Sequence, residues 1–334
     1  MTRRRALALG SAAASGFALA GCAASATVFR PNPPAPARQP LQLDLGGVRV
    51  TALRTGAVAV KKAHREWGGP GALGLPAIAL DPRWTGWLPI TAWLIEHPDG
   101  PILVDTGETP NVAQPGYFDC DPGTRFVYER LLRFDVPSGI GAALRAHGVP
   151  PEEVRTVALT HLHSDHAGGL SDLANASFLL SQAEMDYPPQ GALPCRWPAT
   201  FRPTPVAYGD GAAGAFDRSH ALTADGAVLL VPTPGHTRGH QSVLVRGGSG
   251  EAVLAGDASF SLDQVRRRAV AGICEDPAAA RRTLAVLAEH VEGTGAAYLA
   301  THDPRPPSAG TDAVAPRATR GSGDRRSGPS IPDP

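Results

Sequence analysis

Only four cysteines occur among the 334 residues of this chain, and no two are spaced as Cys-x-x-Cys. A thiolate zinc knuckle and a thioredoxin-type redox motif are thereby excluded. Net charge is missing as well, since 31 basic residues balance 31 acidic ones. No basic stripe interleaved with aromatics offsets that balance, so nucleic acid is not the expected partner. Internal repeats with a period of roughly 20 to 50 residues are absent, which excludes a solenoid. What is left is ordinary globular usage, 43% hydrophobic and 19% charged, enough for one large domain with a substantial core. A small or neutral molecule is the default substrate.

The two ends read differently from the middle. Residues 1–22, MTRRRALALGSAAASGFALAGC, have a cationic start and a weakly apolar stretch too short and too rich in small residues for a spanning helix. Their end, Leu19-Ala20-Gly21-Cys22, resembles a lipobox. That resemblance implies a lipoprotein signal peptide, cleavage before Cys22, a lipid on its thiol, and anchoring to the bacterial cell envelope at a periplasmic or extracellular face. Thr2-Arg3-Arg4-Arg5-Ala6-Leu7 also resembles a twin-arginine export signal. Loss of the segment removes three arginines and no acids, leaving 28 basic and 31 acidic residues. Residues 23–40 carry five prolines and no apolar periodicity, as expected of an extended tether. Residues 304–334, nearly half of them Pro, Gly or Ser, are expected to be a disordered tail. Export permits a disulfide, and Cys120 with Cys195 is the expected pair because both lie in loop-like segments. Cys274 is then an odd thiol, expected to be buried.

Between residues 41 and 303 the pattern is that of a mixed α/β domain. Apolar runs at 48–53 and 57–60 read as strands, and 90–107 reads as a hairpin with its turn at Pro98-Asp99-Gly100. Helical spacing appears at Ile140, Leu144 and His147 and again across 277–291. Further strands are expected at 154–160, 177–180, 227–231, 242–245, 252–254 and 297–299. Segments 64–89, 108–135 and 187–222 lack strong periodicity and read as loops. Two sheets covered by helices would fit this order.

Chemistry concentrates in THLHSDHAGG, residues 160–169, which holds His161, His163, Asp165 and His166 in a chain of 11 histidines. Residues i and i+2 on a turn leaving a strand can aim two imidazole lone pairs at one ion, which suits His161 and His163. Asp165 and His166 lie a turn further and point elsewhere, so the segment offers pairs for two ions, as a binuclear hydrolase requires. Two ligands per ion are too few. Three more candidates follow apolar strand runs downstream: His236 in TPGHTRGH, Asp257 in AGDASF and His302 in THDP. Strand ends are where a rigid sheet would hold such groups still.

With those motifs in that order, the chain resembles the metallo-β-lactamase superfamily over roughly 48–303. HLHSDHAGGL, TPGHTRGHQS and GDASF are most similar to the N-acyl homoserine lactonases and their quorum-quenching relatives. The resemblance implies a single-domain αββα sandwich with two zinc ions at one edge. In that pattern His161, His163 and His236 hold the first ion, Asp165, His166 and His302 the second, and Asp257 bridges them. Manganese, cobalt or iron are alternative occupants, because nitrogen and oxygen ligands accept several divalent ions. Iron is disfavoured, since iron-binding relatives place a carboxylate where His163 stands. Asp105 in VDTG resembles the aspartate that orients a ligand histidine, and His240 is a second supporting candidate.

The reaction expected is hydrolysis of a lactone or similar ester, membrane-attached through Cys22, with Asp165 carrying a proton to the leaving group. A phosphodiesterase or thioesterase on the same residues is the alternative. A metal-binding lipoprotein without catalysis is a further one, opposed by the full set of seven candidate ligands. Trp67, Trp84 and Trp87 are candidates for the wall of an acyl-chain pocket. One departure stands out. Relatives with the Asp-Ala-Ser phrase commonly carry a tyrosine three residues after the bridging aspartate; here that residue is Phe260, so a hydrogen-bond donor must come from elsewhere, with Tyr208 or Tyr187 as the candidates.

Overall fold

The structure, a computed structural model, describes residues 41–305. The signal-like segment, the tether and residues 306–334 lie outside the described residues. The larger sheet contains β1 (Gln42–Asp44), β2 (Arg49–Val60), β3 (Leu88–His97), β4 (Gly100–Val104), β5 (Leu132–Asp135), β6 (Thr156–Ala158), β7 (Ser177–Ser181) and β8 (Thr204–Val206). Its order is β1-β2-β3-β4-β6-β7-β8, with β5 on β2. The smaller sheet contains β9 (His220–Ala221), β10 (Val228–Pro232), β11 (Gln241–Gly247), β12 (Gly250–Gly256) and β13 (Ala297–Ala300), in the order β13-β12-β11-β10-β9. Helices are α1 (Lys62–Arg65), α2 (Gly74–Leu80), α3 (Pro122–Phe126), α4 (Ile140–Ala146), α5 (Ser164–Ala167), α6 (Gln182–Asp186), α7 (Leu262–Arg267) and α8 (Pro277–Thr294).

Alternation along the strands builds the layers. Val50, Ala52, Trp93 and Ile95 from the large sheet meet Val243, Val245, Ala252 and Leu254 from the small one in a shared core. The intervening residues face outward, where Leu53, Leu94 and Leu103 pack with Ile140 and Leu144 of α4. On the opposite face Leu244, Val253 and Ala255 pack with Leu284, Leu287 and Val291 of α8. Period-two side-chain direction therefore produces helix, sheet, sheet, helix, the expected αββα sandwich. Each fully buried aliphatic in these layers stabilises by roughly 1.5–3 kcal/mol.

Several expectations change in detail. The runs at 48–53 and 57–60 are one strand, β2, whose register shifts between Arg54 and Gly56. Gly56 lies so close to the backbone of Asp135 and Val136 that an added Cβ would not fit, so β5 can pair there. The supposed loop 64–89 holds α2, and 108–135 holds α3 and β5. Proline hid both helices: Pro76 sits in the first turn of α2 and Pro122 opens α3, positions where a missing N–H costs nothing. Asp121 caps α3 by accepting from Gly123 N at 2.9 Å and Thr124 N at 3.0 Å. The short strands β8 and β9 lie in 187–222, also read as loop. Cys120 and Cys195 form the expected disulfide, with Cα atoms 5.7 Å apart. Cys274 is free, and it is half-buried rather than buried.

Candidate metal centre

The candidate ligands sit on turns that leave strands. His161, His163, Asp165 and His166 follow β6 of the large sheet; His236 follows β10, Asp257 follows β12 and His302 follows β13, all of the small sheet. Gln241 joins the two halves beside the site, since its backbone N donates to Thr160 O at 3.0 Å and its Nε2 to Leu159 O at 2.8 Å. Three groups of donor atoms converge: His161, His163 and His236; His161, His166 and Asp257; and Asp165, His166 and His302. His161 and His166 are fully buried, and His236 and His302 are nearly so.

Protonation logic tests whether this set suits a cation. His163 Nε2 faces Gln190 O at 3.2 Å, and a carbonyl only accepts, so that nitrogen carries the proton. Thr160 Oγ1 donates to Asp105 Oδ2 at 2.9 Å, so its contact with His161 Nδ1 at 3.0 Å has the imidazole as donor. The remaining nitrogens, His161 Nε2 and His163 Nδ1, then aim lone pairs at each other across 2.9 Å. His236 Nε2 stands 3.0 Å from the same His163 nitrogen. A zinc ion with bonds of about 2.0–2.1 Å to each would set tetrahedral nitrogens roughly 3.3 Å apart. The second cluster repeats the pattern. His302 Nδ1 donates to Pro89 O at 2.7 Å and His166 Nδ1 to Asp105 Oδ2 at 2.8 Å. With both imidazoles neutral, their Nε2 atoms face Asp257 Oδ1 at 3.4 Å and 3.3 Å, acceptor against acceptor. Asp165 Oδ2 lies 3.4 Å from His302 Nε2, and Asp257 Oδ2 lies 3.6 Å from His236 Nε2. Asp257 thus presents one oxygen to each cluster. Among the described residues His166 Nε2 and Asp257 Oδ1 are buried without hydrogen-bond partners. The residues fit two divalent cations, whose charge would relieve both sets of facing lone pairs.

Electrostatics divides the clusters. Desolvation, the largest effect, drives His161 and His236 well below the ordinary imidazole range, so they are neutral donors. Desolvation also opposes charge on His302, but Asp257 and Asp165 outweigh it and push the imidazole up to about 10. The two carboxylates thus favour positive charge at this position, which a bound cation would supply.

Supporting residues are sharply placed. Asp105 has a positive φ of 60°, uncommon outside glycine. That turn lets it take Thr160 N at 2.7 Å while fixing the His166 tautomer. His240 belongs to no ligand group; its Nε2 accepts from Asp257 N at 3.0 Å and its Nδ1 meets Thr233 Oγ1 at 2.8 Å. Glu184 and Glu108 went unnoticed in the sequence, where isolated glutamates carry no motif. Glu184 accepts from Leu162 N, Thr237 Oγ1 and Gly239 N at 3.0, 2.7 and 3.1 Å. Burial lifts it to about 7 against the opposing effect of those donors.

A cleft opens beside the donors, walled by Val58, Val60, Leu132, Phe134 and Ile273. Phe260 lines it and stacks on His302, ring centroids 5.6 Å apart. Trp67, Trp84 and Trp87 are not in that wall. Trp67 instead donates to Pro70 O at 3.0 Å, and Trp84 lies beneath Lys61 and Arg133. Trp67 also packs, half-buried, against the cluster of Val58, Val60, Leu132 and Phe260. Tyr208 packs at the shared core and bonds Gln241 Oε1 at 2.7 Å, and Tyr187 is exposed beneath Arg238. Neither reaches the cleft. Three polar groups there escaped the sequence reading: Gln190, Tyr128, whose hydroxyl donates to Gly191 O and accepts from Ser164 N, and His64, buried beside Phe260 at 6.2 Å with its Nδ1 unpartnered among the described residues.

Comparison with known proteins gives the family. The sequence pattern of the metallo-beta-lactamase superfamily matches residues 85–301. The N-acyl homoserine lactonase AttM of Rhizobium johnstonii is 31% identical over 236 residues, covering 65% of this chain and 82% of that protein. An N-acyl homoserine lactonase of a Bacillus species is 31% identical over 180 residues, covering 52% of this chain and 65% of its own length. Among solved structures, an N-acyl homoserine lactone hydrolase with N-hexanoyl-L-homoserine at its catalytic metal centre superposes with a TM-score of 0.59 at 21% identity, over 76% of this chain and 93% of the other. The dizinc quorum-quenching lactonase AidC gives 0.54 at 16% identity, over 80% and 92%. With a family match over more than half its length, this chain belongs to the metallo-beta-lactamase superfamily and is a metal-dependent hydrolase.

Proposed function

We propose that the chain opens lactone rings of the N-acyl homoserine type, using two zinc ions held by His161, His163, Asp165, His166, His236, Asp257 and His302. The observation that carries this reading is the paired donor set beside an apolar cleft. Asp257 has an oxygen toward each cluster, and Val58, Val60, Leu132, Phe134 and Ile273 offer an acyl chain a dry wall. When bound, such ions supply a water acidic enough to attack at neutral pH and draw charge from the ester carbonyl. Asp165, with His302 at 3.4 Å, is positioned to pass a proton to the leaving alkoxide. Phe260 and the aliphatic wall exclude water from the acyl side, and His64, Tyr128 and Gln190 are neutral polar groups lining that space. The lactonase names of the relatives support the substrate class.

The test is a rate panel of homoserine lactones, thioesters, a β-lactam and a bis-aryl phosphate, with bound metal measured on the same samples. Lactone hydrolysis should dominate, and His163→Ala or His236→Ala should abolish it and lower metal content. Preferred turnover of phosphodiesters or thioesters would overturn the substrate while leaving the hydrolase assignment. We propose further that the hydrolase domain spans about 41–303 and is held to the cell envelope by a lipid on Cys22, a reading supported by the Leu19-Ala20-Gly21-Cys22 phrase.

A further inference from the structure

The geometry points to Glu184 as a positioning residue that holds the three-histidine site, His161, His163 and His236, separately from the second site. This rests on the reading of those histidines as ligands of one ion. They come from two sheets: His161 and His163 leave β6, whereas His236 leaves β10. Something must fix the distance between these turns, because imidazoles 1 Å out of place lose the ion. Glu184 is fully buried, and it makes no salt bridge with any described residue. Its Oε1 accepts from the backbone N of Leu162, the residue between His161 and His163, at 3.0 Å. Its Oε2 accepts from Thr237 Oγ1, next to His236, at 2.7 Å and from Gly239 N at 3.1 Å. One carboxylate therefore ties together the two ligand turns, one per oxygen.

Independent features show that this approach is built. Ser181 caps α6, accepting from Glu184 N at 3.1 Å, and donates its hydroxyl to Gly239 O at 2.6 Å. A Cβ on Gly239 would collide with Glu184 N and Ser181 Oγ, so only glycine lets the His236 turn seat on the helix. Among the described residues the Glu184 carboxylate bonds only to the turns of the three-histidine site and to none of Asp165, His166 or His302; Asp105 and Pro89 orient the latter two histidines. Glu184 thus serves the three-histidine site alone, whereas Asp105 reaches His166 directly and His161 through Thr160.

The experiment places Glu184→Gln in two backgrounds of the full chain, His302→Ala and His236→Ala, and measures zinc affinity by chelator competition. In His302→Ala the remaining ion belongs to the three-histidine site, and Glu184→Gln should weaken it about 10- to 100-fold, as loss of an outer ligand support does. The amide keeps one acceptor but turns an N–H toward the donors of Thr237 and Gly239. In His236→Ala the remaining ion should bind within about threefold of its affinity with Glu184 intact. Equal losses in both backgrounds, or none in the first, overturn the proposal. Should Glu184→Gln fail to fold, Thr237→Val removes one of the three donors, and it must give a smaller loss confined to the same site; unchanged affinity overturns the proposal too. Zinc binding needs no substrate, so failure to open lactones would sink the substrate reading and leave this one standing. A parent protein that binds no zinc would overturn both.

Discussion

Phe260 occupies a position where relatives carrying the Asp-Ala-Ser phrase commonly have tyrosine, and its ring is buried against His302. A phenyl group keeps the packing and offers no donor. Phe260→Tyr is expected to raise kcat on homoserine lactones tenfold or more, with a smaller change in KM, because a new donor acts mainly in the transition state (roughly 10²- to 10³-fold for an oxyanion-hole donor). A neutral or harmful result would mean another group already supplies that bond. His64 is the candidate, and His64→Phe should then lower kcat/KM while metal content stays at the parent level. Glu108 makes a different prediction. It is fully buried, with Oε2 accepting from Ser164 Oγ at 2.6 Å, and burial pushes it up to about 8. A carboxyl with a raised pKa binds more protons in the folded state than in the unfolded one. Stability is therefore lost as pH rises from the ordinary glutamate range through about 8. At fixed metal loading, Glu108→Gln should flatten the fall in Tm over that window; an unchanged slope would assign the fall to other groups. At this scale the seven ligand candidates were legible because their spacing is itself the chemical requirement. Glu184 and His64 were not, since nothing local distinguishes an isolated glutamate or histidine.

At the level of elements, turns that follow strands carry the chemistry, and the segments that shape the cleft are cross-linked from outside. The Cys120–Cys195 disulfide spans a sequence separation of 75 residues. Arg196 reinforces it, its guanidinium donating to Tyr117 O at 2.8 Å and Gly116 O at 2.6 Å. Replacing both cysteines by serine should lower unfolding free energy by roughly 2–4 kcal/mol in urea titrations, with metal content little changed. A loss of metal in the folded variant would show that the cross-link also sets the ligand geometry. Long apolar strands and α8 were readable from period. The helices α2 and α3 and strand β5 were not, because short elements owe their stability to tertiary packing rather than propensity. Tyr117, Phe118 and Tyr128 cluster with Leu132 and Val58 to hold them.

For the whole molecule, the prediction concerns place. Cys22→Ala should leave hydrolysis intact in the soluble fraction and abolish membrane association, as fractionation and activity assays would show; continued tight membrane binding would contradict a lipid anchor. Arg3→Lys with Arg4→Lys should strand folded, active protein in the cytoplasm if export follows the twin-arginine route, and normal export would favour the general secretory route. The sequence by itself determined the layered α/β class, because two-residue alternation and helical periodicity are local properties. It also determined the candidate ligands, because their types and spacing answer to the coordination of an ion. Only the tertiary structure decided which groups face which. Asp257 turning one oxygen to each cluster, Glu184 reaching across two sheets, His64 lining the cleft and Trp84 lying under Lys61 and Arg133 all depend on contacts between residues apart in the chain. No local period records those distances, since they are set by how the two sheets pack.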